Sequence, residues 1–449
     1  MRKKFISLFV AFFIFFLILI SSIKTPIKYG LAVLFLCVVL WLTEAIPKGV
    51  TGLIPAVLIP FFGIMTFEEV VVNYMGRVVF LLISSFIIAS AISKWKLDKK
   101  ITYSMLKFTN DSRFILLTII LSTALMSAII ANTTAAAIML PIGLSIIKSL
   151  PKKNRKKLGI CILLSIAYAA SIGGTISLIG TTPNLFAAQF LAKEGIIITF
   201  SDWLKLVSPF SFIMLFALWA FMLFKFGLLK PEKIKIKIEK IPDEIGAKIV
   251  SIIIIATIIV WIIKPFVPIL HDVDDVMIGL TSAILLIITP IPGRRILLGW
   301  KDIKIPWNIL LMFGGGLALG NALLVSGGAQ YIVGFLPQSN NFILTVFLIA
   351  SITLVLTEIM SNTAFSATFI PAFLLYANSI GASPMTLVLT AAVCSSFAFM
   401  LPIGTPPNAI VYRTKNVKIS DMVKTGIFMN IISVLLWVLY VAFLNNFFL

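Results

Sequence analysis

Two short polar clusters interrupt long apolar stretches of this chain, and they match. The first reads Ser127-xxx-Ala131-Asn132-Thr133 and the second Thr357-xxx-Ser361-Asn362-Thr363. Each is followed by an apolar run with a proline, LPIG (140–143) or FIPA (369–372), and later by a turn sequence, GTTPN (180–184) or GTPPN (404–408). Asn amides and Thr hydroxyls both donate and accept hydrogen bonds. A helix broken at Gly and Pro adds free N–H groups and a partial positive charge where the next half-helix starts. Together these can hold a carboxylate or sulfate through neutral donors, weakly enough to release it. The apolar blocks and broken segments around the motifs carry no Lys or Arg. The carbonyls freed at the breaks, with Ser, Thr and Asn oxygens, form an oxygen-only set that suits a hard cation such as sodium. Such a cation also offsets the charge of the anion. The competing reading is packing, because small polar residues let membrane helices approach closely. Recurrence of both the Asn-Thr pair and the turn at matched positions favours a site.

The elements that position these residues follow from composition. Of 449 residues, 60% are hydrophobic and 12% charged, against about 45–50% and about 25% in soluble domains. The apolar residues come in blocks of about 20, the length that spans a bilayer core. The fold class is therefore an all-α polytopic membrane protein. The net charge of +20 sits in short loops between apolar blocks, so it reads as the positive-inside signature and not as a nucleic-acid surface. Cys37, Cys161 and Cys394 lie singly in apolar blocks and form no metal or disulfide framework. The only histidine, His271, stands in the acidic loop HDVDD (271–275) and reads as a solvated face. The start, MRKKFISLFVAFFIFFLILISS, reads as a retained first span and not a cleaved signal.

Basic loops set the orientation. Spans are expected at about 5–22, 29–46, 50–66, 76–95, 158–190, 204–228, 249–269, 276–290, from Pro306 outward, at 385–412 and at the C-terminal end. Basic segments at 94–100, 148–157, 230–240, 292–304 and 412–418 fall inside. The block 114–147 has Lys/Arg on both flanks and no charge within, so it enters and returns as a re-entrant hairpin of two half-depth helices. The block 342–376, whose only charge is Glu358, has flanks at 337–341 and 376–384 without Lys or Arg, and fits a hairpin from the outside. The segments 158–190 and 385–412 are broken helices. Eleven spans and two hairpins put the N-terminus in the cytoplasm and the C-terminus outside, in a bacterial inner membrane. The domains are an N-terminal span (1–28), a first repeat (29–229), a basic cytoplasmic linker (230–247) and a second repeat (248–449). An odd number of crossings separates the repeats, so they are inverted, and binding is expected near the midplane where the broken helices meet. Intramembrane acids are costly and usually functional. Glu358 could handle a proton or sodium, but capping of hairpin backbone N–H groups is the preferred reading. Glu44 takes a similar structural role near the membrane face.

The residues resemble a known family. ANTTAAAIMLPIG (131–143) and SNTAFSATFIPA (361–372) are similar to the paired Ser-Asn-Thr motifs of the divalent anion/sodium symporter family, which includes bacterial dicarboxylate carriers and mammalian citrate and sulfate carriers. WLTEAIPKGVTGLIPAVLIP (41–60), PWNILLMFGGGLALGNALLVSGGA (306–329) and GTPPNAIVY (404–412) look like its other hallmarks, and the likeness runs from about residue 28 to the end. It implies a homodimer in which a transport domain carries the site past a scaffold domain, an elevator. It also implies substrate contacts at Asn132, Thr133, Thr181, Asn362, Thr363, Thr405 and Pro406. One sodium would sit at Ser127, Ala131, Asn132 and Gly180, and a second at Thr357, Met360, Asn362 and Gly404. Ala131 stands where the family usually has Ser, which removes a hydroxyl from the first sodium site.

The expected function is sodium-coupled uptake of a C4-dicarboxylate such as succinate, malate or fumarate, with sodium as coupling ion and no other cofactor. Sodium-independent dicarboxylate exchange, a citrate or sulfate carrier and, more remotely, an anion channel are the alternatives. An intramembrane enzyme would need a nucleophile–base set or metal ligands, and the apolar blocks hold no His and no clustered acids.

Overall fold

The computed structural model describes residues 2–107, 109–150, 154–230, 244–292, 296–335 and 341–447. Most of the basic linker (230–247), part of the basic segment 148–157 and most of the flank 337–341 lie outside these. Helices fill the described chain, and no β-strand forms among the described residues. The first set is α1 Arg2–Ile20, α2 Ile27–Thr43, α3 Lys48–Phe61, α4 Phe67–Val71, α5 Arg77–Lys94 and α6 Leu97–Leu106. Next come α7 Ser112–Ser127, α8 Asn132–Ser149, α9 Arg155–Gly173, α10 Thr182–Lys193 and α11 Phe200–Lys225. The second half runs α12 Ile245–Ile263, α13 Asp275–Ile288, α14 Trp307–Ser326, α15 Gly328–Val333, α16 Phe342–Ile359, α17 Asn362–Ser379, α18 Pro384–Cys394, α19 Pro406–Arg413 and α20 Ile419–Phe447. Seven described segments are long and apolar enough to cross a bilayer by length and composition, and shorter apolar helices supplement them.

The helices form because the segments are apolar and rich in Leu, Ile, Phe and Ala, and their breaks fall where Gly and Pro cluster. The chain leaves α9 at Gly173-Gly174 and re-enters a helix at Thr182-Pro183; it leaves α18 after Cys394 and re-enters at Pro406-Pro407. Proline at a helix start supplies a fixed φ and omits an N–H that has no partner there. The two halves repeat element by element. Helix α3 packs on α14 as α13 packs on α5, and each hairpin (α7–α8 or α16–α17) packs on the broken helix that follows it. The second half-helices cross over: α10 lies against α17 and α18, while α19 lies against α8 and α9. Close backbone approach fixes α14. A Cβ on Gly315 would run into the Gly52 carbonyl, and one on Gly316 into Ala367.

Three sequence expectations change in detail. The hairpin arms hold 16 to 18 residues, about 24–27 Å at 1.5 Å per residue. That exceeds half of a bilayer core of about 30 Å, so arm length alone does not make them half-depth helices. The basic segment after Lys94 reads as a loop; it folds into α6, which buries Asp98, Thr102 and Leu106, spaced four apart, on one face. Its polar and apolar residues are too few to show a clear period in sequence. In the acidic loop His271 is exposed, but Asp275 is buried. One Asp275 oxygen lies 2.9 Å from Lys264 Nζ and the other accepts from the Phe200 N–H at 2.7 Å. That partner is 75 residues away in sequence, so the loop's composition gave no sign of it. At the chain's start, Ala11 and Phe15 of α1 pack with Ala32, Leu36 and Leu40 of α2.

Candidate functional site

Each hairpin turns in a few residues, and the turn brings three oxygens together. In the first, Ser127 Oγ ends α7 and lies 2.8 Å from Asn132 Oδ1 and 2.6 Å from the Ala170 carbonyl. In the second, Thr357 Oγ1 lies 3.0 Å from Asn362 Oδ1 and 2.7 Å from the Ser395 carbonyl. Each hydroxyl has one hydrogen to offer to two acceptors, so each cluster holds more acceptors than donors. Such a crowd of lone pairs is electrostatically incomplete, and a hard cation would complete it. Ser127 and Thr357 are fully buried, so the clusters sit behind the hairpin tips.

The breaks are clamped by the last residue of each G-T-x-P-N turn. Asn184 Nδ2 donates to the Gly174 and Ser177 carbonyls at 3.0 and 2.8 Å. Asn408 Nδ2 donates to the Ala398 and Leu401 carbonyls, each at 3.0 Å. The partners stand ten and seven residues upstream in both halves. The carboxamide oxygens of both Asn184 and Asn408 are buried without a hydrogen-bond partner. Gly180 keeps the break tight, because a Cβ there would stand 2.5 Å from the Gly174 carbonyl and 3.0 Å from that of Ser127. Gly174 itself faces Asn132, and a Cβ would collide with that carboxamide.

Between the two tips lies a cavity of about 260 Å³. Ala131, Asn132, Thr133, Gly180, Thr181, Asn362, Thr363 and Pro406 line it, with Ile129, Ile179, Thr182 and Ser361. These residues start α8, α10, α17 and α19, so four helix N-termini converge on one space. The halves touch directly where Thr182 Oγ1 and Thr363 Oγ1 lie 2.6 Å apart. Five expected residues do not line the cavity. Ser127, Thr357, Met360 and Gly404 are behind it, and Thr405 is turned away because its hydroxyl accepts from the Asn408 N–H at 3.3 Å and caps α19. Thr181 makes no such cap and stays with the cavity. The hairpins differ in the same respect. Ser361 Oγ caps α17 by accepting from the Ala364 N–H at 3.3 Å, whereas Ala131 offers α8 no side-chain cap. The first N-terminus is therefore the more open to an incoming anion.

Sequence reading missed three lining residues with polar side chains, Thr182, Lys48 and Ser85 of α5. Thr182 belongs to the quoted turn but was not singled out; its position before Pro183, opening α10, was the available signal. Lys48 lines the cavity from α3, in a motif read for its resemblance alone. The hairpin blocks and broken segments hold no Lys or Arg, and the one Lys beside the anion space comes from α3. Glu358 does cap backbone, but of the broken helix and not of its own hairpin. Its oxygens accept from the Met400 and Leu401 N–H groups at 2.8 and 3.0 Å, and from Asn430 Nδ2 at 2.7 Å. The motif alone could not locate donors some 40 residues downstream. Glu44 ends α2 in a left-handed conformation, φ 47°, and pairs with Lys48 Nζ at 2.8 Å.

Paired helical hairpins, paired broken helices and a shared cavity define a polytopic membrane transporter. The sequence matches the model of the sodium:sulfate symporter transmembrane region over residues 1–447. The chain belongs to that family, and it is a transporter and not an enzyme. It is 32% identical over 437 residues to the sodium-dependent dicarboxylate transporter SdcS of Staphylococcus saprophyticus, covering 90% of this chain and 83% of that protein. It is likewise 32% identical over 443 residues to SdcS of Staphylococcus aureus strain USA300, covering 92% and 85%. Its fold is similar to that of the Alcanivorax borkumensis YdaH transporter, with a TM-score of 0.51 at 12% identity, covering 85% of this chain and 88% of that one.

Proposed function

We propose that the chain is a sodium-coupled symporter of C4-dicarboxylates such as succinate, malate and fumarate. The observation that carries this reading is the pair of matched oxygen clusters, Ser127–Asn132–Ala170 and Thr357–Asn362–Ser395, on either side of one cavity. A sodium ion in each would relieve the excess of acceptors and present positive charge to the anion between them. Asn132, Thr133, Thr181, Asn362 and Thr363 would then meet substrate, with Pro406 shaping its seat and Thr405 acting through the α19 cap. Ala131, Gly180, Met360 and Gly404 would contribute backbone oxygens or the space for them. The sodium-dependent dicarboxylate carriers among the relatives support both ion and substrate class.

The two halves form an inverted repeat in this reading. The hairpin tips meet at one cavity, which fits two hairpins that enter from opposite faces and turn back within the membrane. The hairpins and broken helices make up a transport domain that slides as an elevator against a scaffold containing α3, α5, α13 and α14, in a homodimer of the cell membrane. The N-terminus lies in the cytoplasm and the C-terminus outside. A single cysteine at Lys156 should be shielded from an impermeant thiol reagent in intact cells, and one at Asp272 should be labelled; the native cysteines are buried. Labelling at position 156 would remove the re-entrant turn and the inverted repeat with it.

Reconstituted protein should take up radiolabelled succinate when a sodium gradient is imposed, with malate and fumarate competing and citrate and sulfate competing poorly. Ala131 specifically weakens the first sodium site, and Ala131→Ser should lower the sodium concentration needed for half-maximal uptake. The same serine can cap α8, which typically adds about 1 kcal/mol of helix stability. Uptake that persists in choline and is stimulated by internal dicarboxylate would instead identify a sodium-independent exchanger, the reading that Ala131 favours next.

A further inference from the structure

The cavity has two unlike walls. One is made of the helix N-termini and neutral side chains already described. The other comes from α3, α5 and α14 and presents Lys48, Leu82, Ser85, Phe86, Ile309 and Met312. Ser85 donates its hydroxyl hydrogen to the Leu81 carbonyl at 2.8 Å. Lys48 is therefore the one charged group among the described lining residues, and the donor this wall can offer. Its ammonium is held by Glu44 at 2.8 Å, and the two side chains are 33% and 65% exposed. The carboxylate of Glu44 thus stands on the water side of the pair, with Lys48 between it and the cavity. An ion pair this exposed contributes little net stability, so Glu44 yields readily to another carboxylate.

A dicarboxylate presents two charged ends. Four helix N-termini and neutral amides can hold one of them. The other end then meets a wall of Leu82, Phe86, Ile309 and Met312, where an unpaired carboxylate would lose its hydration without replacement. We infer that Lys48 receives the distal carboxylate of a bound dianion, and that Glu44 holds the same ammonium from outside the cavity when the cavity is empty. The inference rests on the dicarboxylate reading of the cavity. It makes the Glu44–Lys48 pair the selector of dianions over monoanions of equal chain length, because only a dianion displaces Glu44.

The test is equilibrium binding of radiolabelled succinate to the purified full-length chain in sodium, with butyrate as the competing monoanion. Lys48→Gln should weaken succinate binding at least tenfold, the loss of one charge-assisted hydrogen bond, and leave butyrate within about twofold of wild type. Lys48→Arg should keep the preference for succinate. Glu44→Gln should act in the opposite direction and tighten succinate binding by up to about fivefold, because its competition with the ligand is removed. A general loss of folding cannot produce opposite signs at the two positions. Unchanged succinate binding in Lys48→Gln, equal losses for succinate and butyrate, or weaker succinate binding in Glu44→Gln would each overturn the inference while the functional reading stood. A wild-type chain that binds no succinate would overturn both.

Discussion

Asn132→Ala and Asn362→Ala should each abolish sodium-driven uptake in a protein that still inserts and purifies. Each carboxamide opens the second arm of a hairpin, lines the cavity and closes an oxygen cluster with Ser127 or Thr357. Removing a buried polar partner costs roughly 1–3 kcal/mol, or about 5- to 150-fold in affinity. Here the loss counts twice, once for the cation and once for the anion, and coupling multiplies the two. Asn184→Ala and Asn408→Ala provide the contrast. Their amides clamp the breaks through carbonyls of the same repeat, so these variants should fail in yield and thermal stability first. Uptake at wild-type rates in both Asn132→Ala and Asn362→Ala would reduce the motif to packing.

Glu358→Ala should be the most destabilising of the single substitutions. The side chain is 6% exposed and satisfies two backbone N–H groups of the second break and the Asn430 amide. Its loss leaves three donors unpaired, one buried and two half-buried, at up to roughly 1–3 kcal/mol each before relaxation. Thermal unfolding of the purified chain should therefore begin well below wild type, and transport should be lost with it. Glu358→Gln keeps one oxygen for the backbone but sets an amide N–H against a donor, so its stability should fall between. If Glu358→Gln remained folded but transported without sodium dependence, the carboxylate would be an ion handle and the capping role would be secondary.

The helical segments were legible because apolar blocks of membrane length stand between basic or Gly/Pro-rich interruptions. Both helical hairpins and both breaks could be read from Asn132, Asn362 and the two turns. Three features could not. Lys48 belongs to the cavity only because α3 packs beside α14, which places residue 48 near residue 309. Glu358 was correctly read as a cap, but the N–H groups it caps come from the break between α18 and α19. Thr181 and Thr405 occupy the same place in their turns, yet one faces the cavity and the other caps its helix. A motif fixes which atoms are available; rotamer and tertiary contact decide where they are used.

The crossed half-helices also bear on how the chain is made. Helix α10 rests on α17, and α8 rests on α19, so each repeat holds a surface that only the other can cover. The Thr182–Thr363 contact spans 181 residues of chain. At ribosomal rates of about 5–20 residues per second, its second member arrives roughly 10–40 s after the first. During that interval the first hairpin and break must persist in lipid without their counterparts. The local hydrogen bonds make this tolerable, because Ser127, Asn132 and Asn184 find partners within residues 127–184. The first hairpin turn and break thus hold their own contacts as they leave the ribosome, and the shared cavity closes only when the second half has been inserted.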